Sequence, residues 1–262
     1  MGKIIGIANQ KGGVGKTTTA VNLVSCLARA KKKTLLVDTD PQSNATSGLG
    51  IEKKNVRYSI YDALIRRIIP TELVMKTDYS DLFIIPSTSD LTGAEIELTD
   101  MQDREHKMKD ALEQIRNDYD YIIIDSPPSL GLLTVNVLVA CDTVLIPLQC
   151  EYYALEGLTQ LLNTIERIRD NFNSSLAIEG ILPTMADLRT NLSRQVIAEV
   201  TNYFPDKVYK TIIPRNVRLS EAPSFGKPIV YYDMRSIGAD RYLCFTEEFL
   251  KAQNGEENIK EQ

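Results

Sequence analysis

The chain has 262 residues, of which 43% are hydrophobic and 25% charged, with a net charge of −5. Such a composition supplies one sizeable apolar core, and its acidic balance offers no general attraction to phosphate backbones or acidic membranes, so binding of either kind would need local Arg and Lys clusters. Cys26, Cys141, Cys150 and Cys244 are scattered and the single histidine, His106, lies in a charged run, which excludes the spacing of a zinc site or a redox dithiol.

Lys-Ile-Ile-Gly-Ile-Ala predicts a strand over residues 3–8, which leaves no room for a signal peptide; with no apolar run near ~20 residues, the expectation is a cytoplasmic protein. Residues 11–18, Lys-Gly-Gly-Val-Gly-Lys-Thr-Thr, follow at once and precede a predicted helix over 17–30. Gly12, Gly13 and Gly15 permit tight turning, so that the amides of this loop, Val14 included, converge on phosphate oxygens at a helix N-terminus. Lys16 suits the β- and γ-phosphates, the Thr17 hydroxyl suits Mg2+, and Thr18 adds a phosphate hydrogen bond. The strict pattern Gly-x-x-x-x-Gly-Lys-Thr is not met: Gln10 stands at its first glycine, and Lys11 is an added lysine.

A second strand over 34–38 runs into Asp38-Thr-Asp40-Pro41. Either carboxylate can serve a phosphate site: Asp40, in the loop, has the freer reach to position a water, and Asp38 can orient Mg2+ or hold the loop by hydrogen bonds. Further strands are predicted over 82–85, 121–125, 143–147, 177–182 and 208–213, with helices over 104–117, 154–170 and 191–203. The strand over 121–125 is apolar until Asp125, whose position at a buried strand end makes it a candidate Mg2+ partner through water. Strand–helix alternation predicts an α/β fold, a mainly parallel sheet flanked by helices on both faces. No repeat or linker divides the chain, so one domain is expected over 1–251, followed by a polar, frayed tail over 252–262.

Five segments together carry a resemblance: Lys11-Gly-Gly-Val-Gly-Lys-Thr-Thr18, Asp38-Thr-Asp-Pro-Gln42, Ile124-Asp-Ser-Pro-Pro-Ser-Leu-Gly131, Cys150-Glu-Tyr-Tyr-Ala-Leu-Glu-Gly157 and Ile213-Pro-Arg-Asn-Val-Arg-Leu-Ser-Glu-Ala-Pro223. In these, and over residues 1 to about 250, the chain resembles the deviant Walker P-loop NTPases of the ParA/Soj type, which partition chromosomes and plasmids. The resemblance implies a Mg2+-dependent ATPase, slow without its partner, that binds ATP/ADP and forms a homodimer around ATP. Lys11 would reach the phosphates held by the other subunit, and a side chain at Gly12 would obstruct that subunit. Asp40 would act in hydrolysis, Pro214 and Asn216 would border the adenine, and Arg215 would lie beside them. The ATP dimer would bind nonspecific double-stranded DNA and be nucleoid-associated, and a ParB-type centromere-binding protein would stimulate hydrolysis.

By the same resemblance Arg189 and Arg218 would contact DNA; read alone, each is a surface charge that pairs with nearby Asp187 or Glu221. A MinD-like membrane relative needs a basic amphipathic C-terminus, whereas this one carries Glu256, Glu257 and Glu261 with only Ile259 to insert. An iron-protein relative needs a cysteine soon after Asp125, and residues 126–133 have none. The other reading is an ATP-switched regulatory DNA-binding protein.

Overall fold

The computed structural model describes residues 1–151 and 154–260. Tyr152 and Tyr153 of the fourth resemblance segment, and residues 261 and 262 of the expected tail, lie outside the described residues. The elements in chain order are β1 (Lys3–Ile7), α1 (Lys16–Arg29), β2 (Thr34–Asp38), α2 (Asn44–Gly48), α3 (Ile60–Leu64), β3 (Met75–Lys76), β4 (Leu82–Ile85), α4 (Leu91–Thr99), α5 (Lys107–Glu113) and β5 (Tyr121–Asp125). They continue with α6 (Leu132–Ala140), β6 (Thr143–Gln149), α7 (Ala154–Asn171), β7 (Ala177–Ala186), α8 (Asn191–Tyr203), β8 (Ile213–Pro214), α9 (Val217–Glu221), α10 (Ile229–Tyr232) and α11 (Ile237–Lys260).

The strands form one sheet in the order β3-β4-β2-β5-β1-β6-β7-β8, in which β3 alone runs antiparallel. The expected mainly parallel sheet with two covered faces is what forms. Successive strand residues point to opposite faces, and here both faces are apolar. Ile4, Leu35, Val37, Ile122, Ile124, Val144 and Ile146 join one core with helices α3–α8. Ile5, Ile7, Leu36, Ile123 and Leu145 join the other with α1, α10 and the Tyr242, Phe245 and Phe249 stripe of α11. Because crossovers are parallel, β1, β2 and β5 all end at one edge, which brings Ile7, Asp38 and Asp125 into register.

Three expected elements differ. The strand over 208–213 shrinks to Ile213–Pro214 plus an isolated bridge at Val208, because the Lys210 and Thr211 N–H groups donate to the Glu248 carboxylate at 2.7 and 2.9 Å. The helix over 104–117 is confined to Lys107–Glu113 and a 3-10 turn, because Asn136 of α6 binds Arg104 O and Met108 N at 2.8 and 3.1 Å. The polar segment from 252, expected to fray, continues α11 to Lys260. Gln253 is buried there and bonds Lys3 Nζ and the Glu179 carboxylate at 2.6 and 2.5 Å.

Candidate nucleotide site

The turn after β1 is set by Asn9, whose side-chain amide donates to Pro147 O at 2.8 Å while its Oδ1 accepts from Lys11 N at 3.0 Å. Gly13 and Gly15 have φ of 75° and 92°, the left-handed region that a side chain disfavours, so these two glycines make the loop's sharp curvature possible. Buried Val14 pins the loop, since its carbonyl accepts from Thr184 Oγ1 at 2.8 Å. Gly15 then caps α1 with its backbone alone, which leaves the first amides of the helix unclaimed by any side-chain cap.

Gly12 is different. A Cβ built there meets nothing nearer than Pro128 Cβ at 4.0 Å, and its φ is not positive. Nothing within this chain requires glycine at that position.

Lys16 is buried, its ammonium 3.4 Å from Lys11 O. Burial pushes its pKa down, while the carboxylates of Asp125 and Asp40 pull it back up. Asp125 is fully buried, and neither oxygen has a hydrogen-bond partner among the described residues. Burial, and then the neighbouring Asp38, drive its pKa well above the ordinary carboxylate value, opposed by the Thr17 hydroxyl and then the Lys16 ammonium. A buried carboxylate with no donor is costly unless something cationic or hydrated meets it. Facing Thr17, it suits a hydrated divalent cation of the kind expected from the strand end.

Asp38 behaves otherwise. Its oxygens accept from Thr46 N, Thr46 Oγ1 and Asp40 N at 2.8, 2.7 and 3.1 Å. Burial nevertheless raises its pKa to about 6, against the lowering effect of those bonds. Of its two expected roles, the loop-holding one is what these contacts accomplish: Asp38 fixes the segment from Asp40 to α2. Asp40 is nearly buried, and its Oδ1 accepts from Gln42 N at 2.9 Å.

A cavity of about 370 Å3 opens beside Thr17 and Thr18, walled by Asn44 and Ser47 of α2 and by Ala222 and Pro223 after α9. Pro214 ends β8 at the same edge of the sheet, and Asn216 Oδ1 caps α9 by accepting from Leu219 N at 3.3 Å. Arg215 donates to Glu151 Oε1 at 3.1 Å. Lys11 pairs with Glu151 Oε2 at 3.0 Å. Thr46, Asn9 and Glu151 are thus site residues that pattern reading did not single out; their signal is contact across the fold and not spacing.

Arg189 and Arg218 both carry the pairings that spacing alone offers. Arg189 binds Asp187 through Nε and Nη2 at 2.8 and 2.7 Å, which draws the Asp187 carboxyl down to about 2. Arg218 meets Glu221 at 2.8 Å and Asp233 at 3.5 Å. The Arg189 side chain is 91% exposed and that of Arg218 54%, so both remain open to a further anion. Among the described residues no cluster of three or more His, Cys, Asp or Glu could hold a metal, and no helix is long and apolar enough to cross a membrane.

A glycine loop between a buried strand and a helix, with a lysine beneath it and a carboxylate at a neighbouring strand end, defines a P-loop nucleotide-binding protein. The family model described as an AAA domain matches residues 2–178. A Bacillus subtilis protein named sporulation initiation inhibitor protein Soj is 60% identical over 97% of this chain and 100% of its own length. A Myxococcus xanthus chromosome partitioning protein ParA is 56% identical over 96% of this chain and 89% of its own. Among solved structures, a Mycobacterium smegmatis protein named cobyrinic acid a,c-diamide synthase, with bound ATP analogue and magnesium, is 35% identical. Its TM-score is 0.84, covering 97% of this chain and 96% of that one. The chain belongs to the Soj/ParA family of chromosome-partitioning P-loop ATPases.

Proposed function

We propose that this chain binds and hydrolyses Mg2+-ATP, dimerises around ATP, and in that state binds nonspecific DNA, acting with a ParB-type partner to segregate a chromosome or plasmid. The observation that carries the nucleotide reading is the buried, unpartnered Asp125 beside Lys16 under the glycine loop. The relatives named for chromosome partitioning support the cellular role, and the neighbour crystallised with an ATP analogue and magnesium supports the ligands. Such a chain would work in the cytoplasm on the nucleoid.

In this reading the loop amides and Lys16 bind the phosphates, Thr18 adds a hydrogen bond, and Pro214, Arg215 and Asn216 border the base end. Thr17 and Asp125 would hold Mg2+, which would supply neutralisation of charge on the triphosphate. Asp40, fixed through Gln42 and Asp38, positions the attacking water, and the closed site excludes bulk solvent. Lys11 acts on the phosphates of the facing subunit. The absence of any local need for glycine at Gly12 supports a facing chain at that point. Two chains would bring two copies of Arg189 and Arg218 onto one face, so that local counterion release overcomes the net charge of −5.

Light scattering with DNA binding in ADP, ATP and a nonhydrolysable analogue tests this. Dimers and DNA retention are expected with ATP and the analogue only. Monomers in every nucleotide, or DNA binding indifferent to nucleotide, would refute the reading.

A further inference from the structure

Glu151 lies just past β6 and gathers three groups onto one carboxylate. Its Oε2 takes the Lys11 ammonium at 3.0 Å, and its Oε1 takes Arg215 Nη2 at 3.1 Å and Gln149 Nε2 at 2.5 Å. Lys11 belongs to the phosphate loop and Arg215 to the segment after β8, so the carboxylate ties together two edges of the nucleotide site. Gln149 is nearly buried and orients Oε1, which leaves Oε2 presented to Lys11. Lys11 has no other side-chain partner among the described residues.

We propose that Glu151 is a latch that holds Lys11 in its own subunit and competes with the triphosphate of the facing subunit for it. This rests on the dimer reading given above, in which Lys11 acts in trans. Carrying the Lys11 ammonium across the interface to the facing subunit's phosphates draws it away from Glu151, so dimerisation in this reading breaks the pair once in each subunit. The side chains are 36% and 42% exposed, which makes the pair a weak one that yields to a more highly charged anion. ATP in a facing chain displaces it; water does not. The latch therefore raises the protein concentration at which dimers form, and it disfavours closure in the absence of nucleotide.

Glu151→Gln keeps the shape but removes the charge and turns one of the two acceptor oxygens into an NH2 group, which cannot accept from Lys11. An exposed pair is worth at most a factor of about five, and two are lost per dimer. The variant is therefore expected to reach half-dimerisation, at saturating nonhydrolysable ATP analogue, at an about three- to tenfold lower protein concentration than wild type. Saturation removes any effect of altered nucleotide affinity. Sedimentation velocity across a dilution series reads the midpoint, and an unchanged melting temperature confirms the fold. A wild type that dimerises while Glu151→Gln has the same or a higher midpoint would overturn the latch and leave the dimer reading intact. A wild type that stays monomeric at saturation would overturn the dimer reading and the latch with it.

Discussion

Replacing Thr46 by Val exchanges one hydroxyl for a methyl at a fully buried position and is expected to destabilise the nucleotide-free chain by about 3 kcal/mol. The Thr46 hydroxyl donates to Asp38 Oδ2 at 2.7 Å and accepts from Ser87 N at 3.1 Å, so it joins the end of β2 to the residue just beyond β4. Losing a bond to a carboxylate is worth ~1.5–3 kcal/mol, and orphaning the buried Ser87 N–H adds ~1–3 kcal/mol. Protonation of Asp38, whose pKa already stands at about 6, relieves part of this and holds the total near the lower half of the sum. For a chain of this size about 3 kcal/mol corresponds to a fall in melting temperature of roughly 6–12 °C. Thermal melts and urea midpoints at constant m-value measure it. Turnover should fall as well, because Asp38 Oδ1 also holds Asp40 N at 3.1 Å. Thr46→Ser, which keeps the hydroxyl, should recover most of the loss. A Val variant within about 2 °C of wild type would refute the assignment of Asp38 and Thr46 as the loop's anchor.

The pH dependence of Asp38 has a definite sign. Its folded pKa of about 6 exceeds the unfolded value of ~3.9, so its contribution to stability is complete below pH ~4 and is lost as pH rises through about 6. The whole loss amounts to about 3 kcal/mol, part of it above pH 5, so urea unfolding at pH 5 and 7.5 should show a fall in stability that Asp38→Asn reduces, with the raised carboxyl of Asp125 supplying the remainder. Gly12→Val should fold and bind nucleotide, since nothing lies within 4 Å but Pro128, yet fail to dimerise in a sedimentation assay; ATP-dependent dimers in that variant would remove Gly12 from the interface. Arg189→Ala and Arg218→Ala should each weaken DNA binding and lower its dependence on log salt by about one, with dimers intact; an unchanged salt titration for both would discard this contact surface.

The strands legible in the sequence are those buried on both faces, such as Tyr121–Asp125, where continuous apolar residues leave no alternative. The phosphate loop is legible because its chemistry is local: glycines, lysine and helix start are contiguous. What pattern reading missed is set by distant side chains that claim backbone groups. Glu248 takes the amides that would have lengthened β8, and Asn136 takes the Arg104 carbonyl and the Met108 N–H at the start of α5. Helix α6, Leu-Leu-Thr-Val-Asn-Val-Leu-Val-Ala, lacks a polar face to betray its period because it is buried almost all round. Gln253 reads as tail until Lys3 and Glu179 are seen beside it. The hydrogen bonds that hold Asp38 could not be read from spacing, since they come from Thr46, whose hydroxyl is folded back onto it.

Asp38 and Asp125 are register neighbours on β2 and β5, identical in type and burial, yet the fold treats them oppositely. Asp38 has three donors within 3.1 Å, whereas neither Asp125 oxygen meets a hydrogen-bond partner among the described residues. Asp38 raises the proton affinity of Asp125, and Lys16, the cation that opposes it, is itself pushed by burial towards its neutral form. Lys16 cannot be given wholly to Asp125 and also to a phosphate. A triphosphate entering with no counter-ion would set further negative charge against two buried carboxylates and draw off the one ammonium that moderates them. A divalent cation arriving with the triphosphate offsets both at once, which makes the pair, and not the nucleotide alone, the ligand that this arrangement favours. Among the described residues neither Asp125 oxygen meets a hydrogen-bond partner, which leaves that carboxyl open to a divalent cation, while the three donors on Asp38 hold the loop bearing Asp40 in place.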